Sequence, residues 1–297
     1  MFIDIHTHAF HPKIAHKAVA QLENHYSIAP VGTGELEDLQ NRIARAGLDR
    51  AVVLTAATDP SQVIPANNWA VQIKKTCPNC IPFGTAHPGF DRLEAEFDRL
   101  EREGVKGLKF HPDFQGFRMD DPGMFDMLEM ARNRFICLFH VGDELPPDQN
   151  PSCPRKMAAL HKAFPDTPMI AAHMGGLHQW DFALEHLADT EVYIDSSSSM
   201  DFMDADMFRK LVNAFGTERL LFGSDYPLYD PAVERERLER TLNLPDATME
   251  RILGGNAVRL LTGGEGRKPS DQVDDGAEIR VEKPLVGTDH EPVGHAG

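Results

Sequence analysis

Histidines carry most of the chemistry in this sequence: 14 of its 297 residues are histidine, and several of them end short apolar runs. His6-Thr7-His8 closes the run that starts at Phe2, and a spacing of two puts both imidazoles on one face of an extended segment. Later runs end in His87-Pro88, Lys109-Phe110-His111-Pro112, Phe139-His140, His173-Met174-Gly175-Gly176 and Gly223-Ser224-Asp225-Tyr226-Pro227, while Asp195 leads into Ser196–Ser199. A single buried histidine is ordinarily a hydrogen-bonded core residue. Several imidazoles in one partly dry space need something that takes their lone pairs. A divalent cation does this. Zn²⁺ accepts histidine nitrogen and carboxylate oxygen readily, with Mn²⁺ or Fe²⁺ as further candidates. Three histidines and one aspartate leave a position for a water, whose pKa the metal lowers toward ~7.

Such a cluster needs elements that bring these run ends together. The apolar runs Phe2–Ile5, Arg50–Thr55, Ile81–Thr85, Val105–Phe110, Phe135–His140, Met169–His173, Glu191–Asp195 and Leu220–Gly223 read as strands buried on both faces. Helical patterns lie between them. Examples are Leu36, Leu39 and Ile43, then Leu93, Phe97 and Leu100, then segments over 62–76, 122–133, 154–164, 178–188, 204–215 and 231–242, with a closing pair over 246–261. Strands alternating with helices make βαβ units. Eight of them predict an α/β fold, a (β/α)8 TIM barrel over residues 1–262, close to the usual ~250 residues. An open doubly wound sheet lacks its Gly-rich phosphate loop after the first strand. In a barrel, all the run ends above share one mouth.

Composition narrows the partners. The formal net charge is −16, which disfavours nucleic acid and anionic membrane surfaces, since both need clustered Lys and Arg. No apolar run approaches the ~20 residues that span a bilayer. The start, Met1-Phe2-Ile3-Asp4-Ile5-His6, has neither the basic nor the apolar stretch of a signal peptide, so a cytoplasmic protein acting on a small molecule is expected. Four cysteines fit a reducing compartment, and Cys77-Pro78-Asn79-Cys80, with no second pair, reads as an incidental helix-end pair. Residues 263–297 have no aromatic residue, hold −4 of the charge and show no periodicity, so they are expected to be a disordered acidic tail.

The HxH of the first strand, single histidines after strands five and six and an aspartate after strand eight resemble the amidohydrolase superfamily. More narrowly, Val141-Gly142 after His140, His173-Met-Gly-Gly176, Gly223-Ser-Asp-Tyr-Pro227 and Gly255-Asn-Ala257 resemble the branch named after aminocarboxymuconate-semialdehyde decarboxylase, which contains hydrolases and non-oxidative decarboxylases. The resemblance covers about residues 1–262. It implies a mononuclear metal site formed by His6, His8, His140 and Asp225, with His173 positioning water and substrate. Chemistry suggests the same division, with Asp225 as both ligand and proton acceptor. The exchanged roles, His173 as ligand and His140 as base, stay open. Relatives often form homodimers, but nothing in the sequence marks an interface.

Lys109 has three readings. It is a carboxylated lysine bridging a second metal, a cation that meets a substrate carboxylate, or one half of a structural ion pair. His111 is a candidate pocket residue beside it, although His-Pro after a strand is also an ordinary stop signal, as at His87. Asp113, Phe114, Gln115 and Phe117 could shape the pocket. His178 is expected to begin a helix. Ser196–Ser199, with no Gly-x-Ser-x-Gly elbow around them, are expected to cap backbone. His11, His16, His25, His161 and His186 carry no site assignment. The leading expectation is a metal-dependent hydrolase in which activated water attacks an amide, lactone or ester carbonyl. The alternative is a metal-dependent non-oxidative decarboxylase of an unsaturated or aromatic acid. That reaction calls for cations at the mouth, where the sequence locates only Lys109, with Arg118 and Arg155 as loop candidates.

Overall fold

The computed structural model describes residues 1–263. The expected disordered tail lies outside the described residues, apart from Gly263. The strands are β1 (Ile3–Thr7), β2 (Arg50–Val53), β3 (Cys80–Pro82), β4 (Gly84–Thr85), β5 (Gly107–Phe110), β6 (Ile136–Phe139), β7 (Met169–Ala171), β8 (Tyr193–Asp195) and β9 (Leu220–Leu221). All pair in parallel, in the orders β1-β2-β3 and β4 through β9. Phe83 N–H donates to the Val53 carbonyl at 2.9 Å, a ladder bond, so β3 and β4 act as one barrel strand. The ring closes where Ile5 N–H donates to the Phe222 carbonyl at 2.8 Å and Asp225 N–H to the His6 carbonyl at 2.8 Å. The fold is therefore the expected (β/α)8 barrel.

The break in the third strand has a local cause. Asn67, fully buried, turns its amide onto Thr85: its Oδ1 accepts Thr85 N–H at 2.8 Å and its Nδ2 donates to the Thr85 carbonyl at 3.1 Å. A side chain thus takes the backbone groups that a continuous ladder would use.

The outer layer consists of α1 (Ala15–Tyr26), α2 (Leu36–Arg45), α3 (Val63–Thr76), α4 (Leu93–Arg102), α5 (Pro112–Gln115), α6 (Pro122–Ala131), α7 (Pro154–Ala163), α8 (Trp180–Leu187), α9 (Ala205–Phe215), α10 (Pro231–Leu242), α11 (Asp246–Glu250) and α12 (Asn256–Thr262). Strand alternation divides the core in two. Ile3, Ile5, Val52, Leu54, Leu138 and Ile170 fill the barrel, and Ala51, Val53, Cys137, Phe139, Ala171 and Ile194 face the helices. Burying each large aliphatic chain stabilises the fold by about 1.5–3 kcal/mol.

Two expectations change here. Cys77, at the end of α3, and Cys80, opening β3, form a disulfide with Cα atoms 5.3 Å apart. The pair is bonded, not incidental, because the tight turn between helix and strand brings both Cα atoms into bridging range. The reducing-compartment expectation therefore does not extend to it. The sequence reading also assigned no helix to the segment that forms α1. No described helix is long and apolar enough to cross a membrane.

Candidate functional site

β1 is irregular where its chemistry begins. Its register against β2 shifts between Asp4 and Thr7, so the strand that points Ile3 and Ile5 into the barrel also delivers His6 to the mouth. The buried Asp4 carboxylate steadies this bend, accepting His6 N–H at 3.0 Å and Ser224 N–H at 3.1 Å, and burial pushes its pKa up to about 7. Gly223 lets β9 come close: a methyl there would stand 2.9 Å from His6 Cβ. His173, Ser198 and Asp225 all have positive φ (60°, 51° and 66°), which non-glycine residues adopt at a cost. Two of these, His173 and Asp225, are residues that the sequence singled out for the site.

The hydrogen-bond network assigns a proton to each ring. His6 Nδ1 donates to Asp195 Oδ2 at 2.9 Å, leaving the Nε2 lone pair 3.5 Å from Asp225 Oδ1. His8 Nδ1 donates to the Leu54 carbonyl at 3.3 Å, so its Nε2 lone pair stands 3.2 Å from the same oxygen. His173 Nδ1 donates to the Ser197 carbonyl at 3.2 Å, and its Nε2 therefore accepts from His140 Nδ1 at 2.9 Å. His140 Nε2 is then left as a buried lone pair with no hydrogen-bond partner among the described residues.

These contacts test the metal expectation. Donor atoms of His6, His8 and Asp225 lie within 4.8 Å of one another. Imidazole lone pairs facing a carboxylate oxygen repel it unless a cation is close; Lys109 Nζ, 3.3 Å from His6 Nε2, meets the first of them, and the orphaned buried acceptor of His140 nearby is costly for the same reason. Electrostatics agree. Burial, reinforced by Lys109, holds His6 below its ordinary pKa, and burial with His111 and His173 holds His140 well below it. Burial alone would raise Asp225, but His6, His8 and His173 outweigh it and keep the carboxylate ionised. Neutral imidazoles and an ionised carboxylate are the ligand forms of a divalent cation, and the residues present fit one.

The structure thus brings His6, His8 and Asp225 together and links His140 to them through His173. His173 is buried, with its pKa lowered to about 4 by burial and then by His6, and both ring nitrogens are engaged. Lys109 Nζ, in the barrel interior, donates to His6 Nε2 at 3.3 Å; burial lowers its pKa to about 8 against the pull of Asp195 and Asp225. His111 caps α5 and meets Tyr26 Oη through Nε2 at 3.1 Å. Asp113 accepts from Ser152 at 2.6 Å. Gln115 binds backbone at Ala57, Ala86 and His111, and Phe117 is core. His87 likewise bonds backbone, at the Gln115 carbonyl.

Several participants escaped the sequence reading. Ser196 and Ser199 hold backbone carbonyls as expected, but Ser197 Oγ lies 3.1 Å from His6 Nδ1 and 3.0 Å from His173 Nδ1, and Ser198 Oγ donates to Asp225 Oδ2 at 2.5 Å. Asp195 orients His6, and its carboxylate stays ionised because His6, His173 and Ser197 outweigh the burial that would raise it. Its position at a strand end was the available signal. Tyr26 had none.

Two cavities meet at His140, His173, Asp225, Tyr26 and Leu228. The larger, about 700 Å³, has apolar walls from Phe10, Ile14, Leu22, Trp69 and Phe114, with Lys109 inside and Lys13 and Lys17 on the α1 side. The smaller, about 120 Å³, has His25, Asp143, Glu144 and His178. His178 does not begin the helix as expected: it sits in the turn two residues before α8, with φ 58°, and lines this cavity. Arg118 pairs with Asp120 on the surface, and neither it nor Arg155 lines these cavities.

The chain is 21% identical over 192 residues to 2-amino-3-carboxymuconate-6-semialdehyde decarboxylase of Dictyostelium discoideum, an alignment covering 53% of this chain and 54% of that protein; the chain spans about half the length of this curated relative. Its fold is similar to an uncharacterised TIM-barrel protein of Bordetella bronchiseptica (TM-score 0.70, 18% identity, 90% of this chain and 99% of the other). It is also similar to a dihydroxybenzoic acid decarboxylase of Polaromonas, solved with manganese and the inhibitor 2-nitroresorcinol (TM-score 0.65, 14% identity, 88% and 96%). The amidohydrolase family model matches residues 3–262, and the chain belongs to that family.

Proposed function

We propose that the protein is a metal-dependent non-oxidative decarboxylase of a small unsaturated or aromatic carboxylic acid. The observation that carries this reading over hydrolysis is the set of cations on the larger cavity. Sequence alone located only Lys109; the cavity also has Lys13 and Lys17, around walls that are mostly apolar and aromatic. An anionic, planar, largely apolar molecule suits such a pocket, since apolar walls bind its body and a few charged groups fix its orientation. The decarboxylases among the similar proteins support the same reading.

His6, His8, His140 and Asp225 would hold the metal, with Mn²⁺ and Zn²⁺ the first candidates. When bound, the ion supplies Lewis acidity that polarises oxygens of the substrate and of water. The residues of the chain do the rest. Lys109 attracts and orients the carboxylate, at a site where burial strengthens its field. The walls exclude water from the bond that breaks. Asp195, through His6, and Ser198, through Asp225, hold their partners at fixed angles. Asp225 Oδ1 would relay one proton from solvent to the carbon that bears the carboxylate, so that the acid anion and that proton together give the product and CO₂, and the hydroxide left in solvent balances the negative charge lost from the acid. The carbon–carbon bond breaks, its electron pair stays on that carbon, and CO₂ leaves with both carboxylate oxygens.

The test is a parallel assay of the metal-loaded protein on hydroxylated benzoates and unsaturated dicarboxylic acids for CO₂ release, and on lactones and aryl esters for hydrolysis. CO₂ release from an acid, lost in Asp225→Asn, is the expected result. Hydrolysis without CO₂ release would return the assignment to the hydrolase reading.

A further inference from the structure

We propose that the Tyr26 phenol is a substrate-binding donor, its hydroxyl hydrogen directed by His111 toward an anionic oxygen of the ligand. This rests on the decarboxylase reading only in taking that ligand to be a carboxylate.

His111 precedes α5, and its Nδ1 accepts the Phe114 N–H at 3.4 Å. A nitrogen that accepts carries no hydrogen, so the ring hydrogen of His111 sits on Nε2. Nε2 lies 3.1 Å from Tyr26 Oη, and Tyr26 is thus the acceptor of that bond. A phenol has one hydrogen of its own, and here it is not used by His111. His111 is the one hydrogen-bond partner of the Tyr26 hydroxyl among the described residues.

Position gives the free hydrogen its role. Tyr26 ends α1 and lines both cavities, beside His140, His173 and Asp225. Its ring is held by His25, edge-on at a centroid distance of 4.6 Å, and by Phe114 at 5.9 Å. The His111 ring is fixed in turn, stacked on Phe114 at 4.1 Å and on His140 at 3.9 Å. A donor whose oxygen is already anchored reaches a ligand with little loss of side-chain freedom. A neutral donor also suits a carboxylate whose other oxygen faces a lysine, since hydrogen bonds to charged groups are among the stronger ones.

Calorimetric titration of the Mn²⁺-loaded protein with benzoate and with 2-hydroxybenzoate tests this, alongside thermal unfolding and metal content. Tyr26→Phe is expected to weaken both probes about tenfold, a loss of about 1.4 kcal/mol, with unfolding temperature and metal content unchanged. His111→Asn is expected to weaken them less, and the double variant to bind no worse than Tyr26→Phe, because the histidine acts through the phenol. Wild-type affinity in Tyr26→Phe, additive losses in the double variant, or no binding of either probe by the wild type would overturn the proposal. If His111→Asn does not fold, the Tyr26→Phe titration decides alone. CO₂ release by the wild type is measured separately. Its absence with the Tyr26→Phe loss intact refutes the decarboxylase reading alone, and its presence without that loss refutes only the phenol's role.

Discussion

At the scale of single residues, the site depends on which ring nitrogen carries each hydrogen. Asp195 fixes His6 with Nδ1 protonated, and the Ser197 carbonyl does the same for His173, whose other nitrogen then fixes His140. Asp195→Asn removes a charged acceptor and lets the His6 ring turn. Metal affinity, read by competition with a chelator, is expected to fall about 10–100-fold, with the unfolding temperature of the metal-free protein little changed. Unaltered affinity would show that Asp195 does not orient a ligand. Much of this layer was legible. HxH, the histidines after strands five and six and Asp225 stand where the barrel needs them, since chemistry at strand ends follows directly from the strand pattern. Asp195, Ser197 and Ser198 were visible as residues but not as partners, because hydrogen bonds between strands depend on register and on the bulge in β1.

At the scale of elements, the strands were legible because each is a continuous apolar run, buried on both faces. The break at Phe83 was not, since it depends on Asn67 reaching across from α3. α1 escaped for a different reason. Ala15 is its one buried residue, Ala18 and Leu22 face a cavity, and Tyr26 at its end packs partly buried against the core, so little of the helix is core-facing. Tyr26 was missed with it. A further element-level prediction concerns α10, where Glu234 is buried near Arg237, Asp201 and Tyr229. Burial raises its pKa from 4.5 to about 7, with Arg237 opposing only in part. The folded state therefore favours the protonated form. That contribution is complete below pH ~4.5 and lost as pH rises through about 7. Glu234→Gln should gain stability relative to wild type between pH 5 and pH 8, by on the order of 2–3 kcal/mol, read from denaturant unfolding at both pH values. A constant difference would refute the assignment. Gly223→Ala should displace His6 and weaken metal binding, as tested by metal titration, because β9 has no room for a methyl beside it.

At the scale of the whole molecule, the net charge of −16 describes the exterior and not the entrance, where Lys13 and Lys17 border the large cavity and Lys109 lies within it. Local charge of this kind steers an anion against the average field and is screened by salt. Lys13→Glu/Lys17→Glu is expected to raise KM for an acid substrate roughly 3–10-fold at low salt, with the difference shrinking as salt is added. An unchanged KM at low salt would remove these lysines from the account. The most direct measurement follows the reacting carbon itself. Turnover of a substrate acid, labelled with ¹³C at its carboxylate and run in D₂O by the metal-loaded protein, should release labelled CO₂ and leave one deuterium on the carbon that held it. A product that keeps the labelled carboxylate and gains the elements of water elsewhere would contradict decarboxylation.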